Sequence, residues 1–151
     1  KITNNKLVIY SESLFEATKP YISLTEEDFI GDYDFIKSSG KSYGGCVISY
    51  FGNKGLITGS YIENNGAILR PNIRVSSIKE AQRYSKNLLK FKNKNKITSR
   101  FNIGLDVSLA GGNTILINNV GSFSGIYFIE HIKHNLTKKT TSVLARRVNN
   151  D

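Results

Sequence analysis

Short runs in which apolar and polar residues alternate, separated by turns of Gly and Asn, recur along most of this chain of 151 residues. A period of two places successive side chains on opposite faces of a strand, and Gly and Asn supply the backbone conformations of tight turns. The pattern predicts strands at residues 6–10, 21–24, 33–36, 43–51, 56–63, 98–105, 114–118, 126–134 and 140–148. The last four, joined by short turns, predict an antiparallel barrel or sandwich.

One segment has a helical period instead. Ser77 is followed three residues later by Glu80, which forms a capping box, and apolar residues then recur every three or four positions. The predicted stripe consists of Ile78, Ala81, Ser85 and Leu88, widened by Tyr84, Leu89 and Phe91. We therefore predict one long amphipathic helix at about residues 77–93 and an α+β fold, mostly an antiparallel β-barrel.

The charge of the chain favours anionic partners. The formal net charge is +9 and the sequence pI is about 9.7. Such a balance is typical of proteins that bind nucleic acid, acidic proteins or charged envelope polymers. Part of it is concentrated in one stretch, which makes five lysines candidate anion-facing residues: Lys86, Lys90, Lys92, Lys94 and Lys96.

The residues that could carry chemistry do not form a recognisable constellation. Cys46 is the single cysteine, so it cannot form an internal disulfide, and its apolar neighbours predict a buried strand residue. His131 and His134 fall on opposite faces of one predicted strand, which does not suit a shared metal. The three acids at residues 26–28 are typical of the first turn of a helix. We predict no enzyme activity and no catalytic residue, cofactor or metal; part of a cell-wall hydrolase remains an alternative.

Two further features concern the extent of the chain. It contains no Met, and we expect it to be a fragment or processed form of a longer protein. No apolar run approaches the roughly 20 residues needed to span a membrane, so no membrane-spanning segment is expected.

Five motifs follow one another in a characteristic order. They are YGGCVISY at residues 43–50, SSIKEAQ at 76–82, LAGGNTI at 109–115, GSFSGIYFIEHIKH at 121–134 and TTSVL at 140–144. Their order and spacing resemble the late-control gene D family, the baseplate hub proteins of contractile-tailed phages. The branch that looks most similar is found in Gram-positive phage-like particles of the PBSX type. The resemblance covers about residues 33–148.

The resemblance implies a fold and a role. Members of this family have tube-type β-barrels related to tail-tube subunits and to the spike hubs of type VI secretion. Three subunits form a ring that joins the tail tube to the central spike in a phage, tailocin or other contractile injection system. Residues 1–40 would be a small preceding segment of the hub, and residues 41–151 the barrel domain. The short final strand and the strong positive charge depart from the family pattern.

The implied partners are structural. They are further copies of the chain in a homotrimer, the tail tube protein, the spike, other baseplate proteins and, in addition, the tape-measure protein. The implied location is the tail of a virion or phage-like particle assembled in the bacterial cytoplasm. Residues on two predicted hairpins are candidates for the contacts: Val47, Ser49, Phe51, Ile57, Ile126, Phe128, Glu130 and His134. The alternative from charge alone is a basic binding module for nucleic acid or a cell-envelope polymer.

Overall fold

The computed structural model describes residues 12–148 except 39, 41 and 54, and the backbone of two short strands before them. The fold is mostly β with few helices, in agreement with the predicted α+β class. In chain order the elements are β1 (Ile2–Thr3), β2 (Lys6–Leu7), α1 (Glu12–Glu16), β3 (Ile22–Leu24), β4 (Asp34–Lys37), β5 (Gly45–Gly52), β6 (Gly55–Ile62), β7 (Ile68–Leu69), α2 (Ile78–Asn93), β8 (Ile97–Gly104), β9 (Thr114–Ile117), β10 (Gly125–Asn135) and β11 (Thr140–Arg147). Residues 8–10 of the predicted strand 6–10 lie outside the described residues.

The chain divides into two compact units. Unit 1 consists of Lys1–Lys37 and Ile97–Asp151, and unit 2 consists of Ser38–Lys96. This division differs from the predicted boundary after residue 40, because β3 and β4 pair with strands that follow α2 in the chain. Whether residues 1–40 correspond to a separate hub segment stays a prediction.

Unit 1 is built on a six-stranded sheet in the order β3-β9-β10-β11-β8-β4. All neighbouring pairs are antiparallel except β3 with β9, which is parallel. Alternation turns one face of this sheet into a continuous apolar core, as the sequence pattern requires. The core consists of Leu24, Phe101, Ile103, Leu109, Ile115, Ile117, Tyr127, Ile129, Val143 and Ala145.

The predicted closed antiparallel barrel is not what the described strands form. The six-stranded sheet is open and mixed, with the short strands β3 and β4 at its two ends. The hairpin that was expected to complete the barrel, β5 with β6, belongs to a separate three-stranded sheet in the order β6-β5-β7. The reason lies in packing: the apolar face of this hairpin is buried by α2 and joins a second core in unit 2.

Unit 2 is held together by close packing of α2 on β5 and β6. Cys46 and Ile48 on β5 are fully buried with Ala81 and Leu89 on α2. The approach is tightest at Gly59, where an added Cβ would lie 2.5 Å from the backbone nitrogen of Gln82. Only glycine fits there without moving the strand or the helix.

The helix begins where the capping box predicts. Ser77 Oγ accepts a hydrogen bond from the Glu80 backbone N–H at 3.2 Å, and α2 extends over sixteen residues to Asn93. The two residues at the ends of the predicted apolar stripe, Ile78 and Phe91, are exposed rather than buried. The buried stripe of α2 therefore contains fewer residues than the sequence spacing predicts, and its buried members are Ala81, Ser85, Leu89 and Asn93.

Candidate interaction surfaces

The predicted interface residues on β5 lie on the face of the hairpin opposite α2. Phe51 is paired with Leu56, and Ser49 with Thr58, across the two antiparallel strands. Ile57 has the other orientation and packs against the core of unit 2. We define the hairpin face as the seven residues that share the outer side: Val47, Ser49, Phe51, Leu56, Thr58, Ser60 and Ile62.

The hairpin face is apolar at its ends and hydroxylic in its centre. Phe51 is 78% exposed, Leu56 65% and Ile62 52%, although each could bury a large apolar area. Between them, Ser49 Oγ lies 3.2 Å from Thr58 Oγ1. No member of the face is charged, so contact with a protein partner would not bury an unpaired charge of this face. An exposed apolar patch of this kind is typical of a contact surface.

Sequence reasoning found only part of this face. Val47, Ser49 and Phe51 were predicted, whereas Leu56, Thr58, Ser60 and Ile62 were not. The signal was present, because the period of two along residues 56–62 places these four on one side once Ile57 and Tyr61 are assigned to the core.

The predicted interface residues on β10 occupy different environments. Ile126 is half-buried beside its cross-strand partner Leu116, and Phe128 is buried. Glu130 forms an ion pair, and His134 Nδ1 lies 3.0 Å from Thr141 Oγ1. These four residues therefore do not form one exposed patch.

A buried arginine, missed by sequence reasoning, organises the face of the unit 1 sheet opposite its core. The Arg146 side chain is 3% exposed, and its guanidinium contacts three carboxylates. Nη2 lies 3.4 Å from Glu12 and also bonds Glu16, while Nε lies 3.2 Å from Glu130. The same guanidinium is stacked over the Phe128 ring, 4.8 Å from its centroid. This network attaches α1, which has no buried residue of its own, to the sheet.

The five predicted anion-facing lysines lie in α2 or directly after it, and all belong to unit 2. Lys86 is exposed, with its Nζ 5.4 Å from the centroid of the Tyr61 ring, and Lys90 and Lys92 are exposed as well. Lys94 is half-buried, with its Nζ 5.2 Å from the Phe91 ring, and Lys96 is also half-buried. The basic surface is thus presented mainly by the helix itself.

The distribution of charge between the units is uneven. Unit 2 contains eleven of the 21 Lys and Arg residues but only two of the 12 Asp and Glu residues. Its formal net charge is therefore +9, and unit 1, with ten residues of each sign, is neutral. The whole excess of positive charge belongs to unit 2.

The residues considered for chemistry are placed as follows. Cys46 is buried, and burial raises the pKa of its thiol, which suits a structural residue. His131 is exposed, whereas His134 is half-buried against β11. Of the acids at 26–28, Asp28 accepts a hydrogen bond from the Thr25 backbone N–H at 2.7 Å and so caps a short turn. Within the described residues, no three His, Cys, Asp or Glu side chains are grouped so that they could hold a metal.

Two carboxylates near turns have lowered pKa values for local reasons. Hydrogen bonds from the Ser76 side chain and backbone lower the pKa of Glu80, next to the start of α2. The Ser108 side chain lowers the pKa of Asp106 in the loop after β8. Both groups are half-buried, stabilise turns and have lowered pKa values, so neither provides a proton donor for catalysis near neutral pH.

Comparison with known proteins gives a fold relationship. No family model matches this chain, and no curated protein matches it in sequence. Solved structures do match. The 43 kDa tail protein of prophage MuSo2 from Shewanella oneidensis aligns with a TM-score of 0.67 at 11% identity over 86% of this chain and 45% of that chain. The tail protein from Neisseria meningitidis MC58 aligns with a TM-score of 0.66 at 9% identity over 87% of this chain and 45% of that chain.

A third solved structure comes from the virion of a native gene transfer agent particle. It aligns with a TM-score of 0.58 at 14% identity over 87% of this chain and 32% of that chain. The chain thus spans less than half the length of each of these proteins. At such identities the likeness establishes a shared fold.

Among the described helices, none has the length and apolar character needed to cross a membrane.

Proposed function

We propose that this chain is part of a structural, non-enzymatic subunit of a phage-type tail. The observation that carries the proposal is the shared fold: two of the matching structures are tail proteins, and each covers nearly nine-tenths of this chain. The third comes from a gene transfer agent virion. A role in assembly also accounts for the uncharged hairpin face, which is suited to contact with another protein.

The order of sequence motifs supports a more specific version of the proposal. In it, the full-length protein is a baseplate hub subunit of the late-control gene D type, which joins the tail tube to the central spike. The hub would be a homotrimer in a virion, tailocin or other phage-like particle, assembled in the bacterial cytoplasm. Closed rotational symmetry brings one patch of each subunit against a different patch of the next. The hairpin face is our candidate for one side of such a contact with another subunit, the tube, the spike or a baseplate protein.

Deletion of the gene in a cell that encodes it, followed by purification of particles, tests the proposal. We expect particles without assembled tails, and restoration by the wild-type gene. Peptides of the chain should be present in purified tails. Normal tails in the deletion strain, or tails that lack the chain, would contradict the proposal.

A surface variant tests the role of the hairpin face. Phe51→Ser with Leu56→Ser removes its two most exposed apolar side chains, and we expect a folded protein that supports few or no tails. Leu136→Ser is the matched control, because Leu136 is 70% exposed in a turn of unit 1. Equal tail yields from the two variants would remove the hairpin face from the proposal.

A basic binding module is the second candidate function. The confinement of the net charge of +9 to unit 2 favours it, since a domain with such a charge binds polyanions through phosphate or carboxylate contacts. Binding of duplex and single-stranded DNA at two salt concentrations separates the two candidates. Affinity that persists at physiological salt would favour the binding module.

A further inference from the structure

The solvent side of α2 presents a row of cations. Lys79, Arg83, Lys86 and Lys90 are all exposed and recur every three or four residues, so they lie along one face of the helix. At 1.5 Å per residue the row is about 16 Å long. We call these four residues the basic row. The opposite side of the helix carries the buried residues Ala81, Ser85 and Leu89.

Two members of the basic row are positioned by aromatic rings within unit 2. The Arg83 guanidinium lies 5.4 Å from the centroid of the Tyr84 ring, and Lys86 Nζ lies at the same distance from the Tyr61 ring. Cation–π contacts reduce the freedom of long side chains, so less conformational entropy is lost when a partner binds. The row is therefore a partly ordered charged surface.

A stretch of opposite charge occurs in unit 1. Residues 26–34 contain five carboxylates, at Glu26, Glu27, Asp28, Asp32 and Asp34, and no cation. All five are exposed. We call this stretch the acidic loop.

Local contacts hold the acidic loop in one conformation. The Ile30 backbone N–H donates to the Asn102 carbonyl at 2.8 Å, and the Tyr33 hydroxyl donates to Glu26. The Phe29 ring packs against the Phe101 ring of the unit 1 core, with 4.8 Å between the ring centroids. The carboxylates are consequently presented by a fixed segment, as the cations are by the helix.

We propose that the basic row of one copy docks on the acidic loop of a second copy, and that this contact orients subunits in the assembly. The inference rests on the proposed function. Two basic rows repel each other, so symmetry-related copies cannot meet through them. A contact of the basic row with the acidic loop joins two different patches, so it can repeat around a ring without bringing like charges together. Its charges mainly steer and select the partner, while apolar surface supplies most of the affinity.

The experiment is a charge exchange in the whole chain, measured by analytical ultracentrifugation. One variant carries Lys86→Glu and Lys90→Glu, and the other carries Glu27→Lys and Asp32→Lys. We expect each variant alone to associate about tenfold more weakly than wild type, which corresponds to ~1.4 kcal/mol. An equimolar mixture of the two should regain association into mixed pairs, because the reversed row of one variant then faces the reversed loop of the other. Wild-type association should weaken as salt rises.

Controls separate the contact from net charge and from misfolding. Lys133→Glu with Lys138→Glu changes the net charge by the same amount and sign as the Lys86 and Lys90 variant, at exposed positions of unit 1, and should leave association unchanged. If a reversal variant fails to fold, Lys86→Gln with Lys90→Gln replaces it and should show a smaller loss of the same sign.

Several results would overturn the inference. They are a wild-type chain that stays monomeric, reversals without effect, or a mixture that does not regain association. Loss of DNA binding in the α2 variant, with no change in association, would assign the row to nucleic acid instead.

Failure of this inference can be told apart from failure of the proposed function. If tails contain the chain and the reversal variants assemble as wild type does, the docking contact is wrong and the structural role stands. If tails lack the chain, the structural role is wrong, and association of the isolated chain still decides the contact.

Discussion

Units 1 and 2 deal with charge in opposite ways. Unit 1 is neutral overall and buries one arginine among three carboxylates. Unit 2 carries the whole net charge of +9, has five of its eleven cations on one helix, and depends on a close approach of helix and strand at Gly59. The net charge of a chain can therefore hide a sharp internal division. Unit 1 is stabilised by an ion network and by the apolar core on its sheet. Unit 2 is stabilised by the close packing of α2 on β5 and β6.

The largest expected effect comes from Arg146→Ala in unit 1. The change leaves Glu16 and Glu130, which are three-quarters buried, without their cation, and it removes the packing on Phe128. Breaking a buried ion pair costs about 3–5 kcal/mol, and we expect the lower end because the carboxylates retain some solvent contact. Denaturant unfolding measures the loss. Arg100→Ala, at an exposed position on β8, is the control and should change stability little.

The location of the Arg146→Ala effect matters as much as its size. Hydrogen exchange should increase in α1, β10 and β11 and change little in α2, because the two cores share no buried residue. An equal increase in both units would show that they unfold as one cooperative unit rather than independently.

The second prediction concerns Gly59→Ala in unit 2. The new Cβ would meet the Gln82 nitrogen at 2.5 Å and the Ala81 Cβ at 2.6 Å, and helix backbone cannot yield as a flexible side chain can. Overpacking of this kind costs about 1–3 kcal/mol. Increased exchange should be confined to β5, β6 and α2. Gly104→Ala is a matched control, since nothing lies within 4 Å of an added Cβ there, and its stability should be unchanged or slightly higher.

The strands of both units could be predicted because alternation is a local signal. Residues 98–105 and 126–134 differ from β8 and β10 only at their ends. The closed barrel was not predicted correctly, because the alternation of apolar and polar residues within a strand does not determine which distant strands pair with each other. The apolar side of β5 can be covered equally well by another sheet or by a helix, and only the tertiary structure decides that α2 covers it.

For the candidate surfaces too, periodicity predicts which residues share a face, whereas tertiary packing decides which of them are exposed. Val47, Ser49 and Phe51 share a face by periodicity, so their outer position followed once Cys46 and Ile48 were buried. Ile57 and Phe128 were predicted for interfaces but are packed in the protein, because core and interface positions both favour apolar residues. Arg146 gave no signal, since its partners Glu12 and Glu16 are more than a hundred residues away in sequence.

A third prediction tests the polar closure of unit 2. The Asn93 side chain accepts from the Tyr43 backbone N–H at 2.9 Å and donates to the Tyr43 carbonyl at 2.8 Å. Asn93→Ala leaves both backbone groups without their partner, and we expect a loss of about 1–2 kcal/mol. Asn87→Ala, at an exposed position on the same helix, should be neutral or slightly stabilising. Equal effects from the two variants would mean that the bridge to Tyr43 does not contribute.

The smallest effect is expected in unit 1 at alkaline pH. Burial raises the pKa of Tyr127 from its ordinary value of 10.0 to about 12. The folded protein therefore holds this proton more tightly than the unfolded chain does. The resulting contribution to stability is complete below pH 10.0 and is lost as pH rises through about 12.

Tyr127→Phe tests this contribution. It removes the hydrogen bond from the hydroxyl to the Phe123 carbonyl, so we expect a loss of about 1 kcal/mol at neutral pH. Near pH 12 the loss should be smaller or reversed, because the variant has no buried hydroxyl to ionise. Denaturant midpoints at both pH values measure the change. Tyr21→Phe is the control, since its hydroxyl bonds Ser108 at 2.7 Å but is exposed. Hydrogen exchange in unit 2 should be the same in wild type and variant at each pH, and a difference there would show that the stabilities of the two units are coupled.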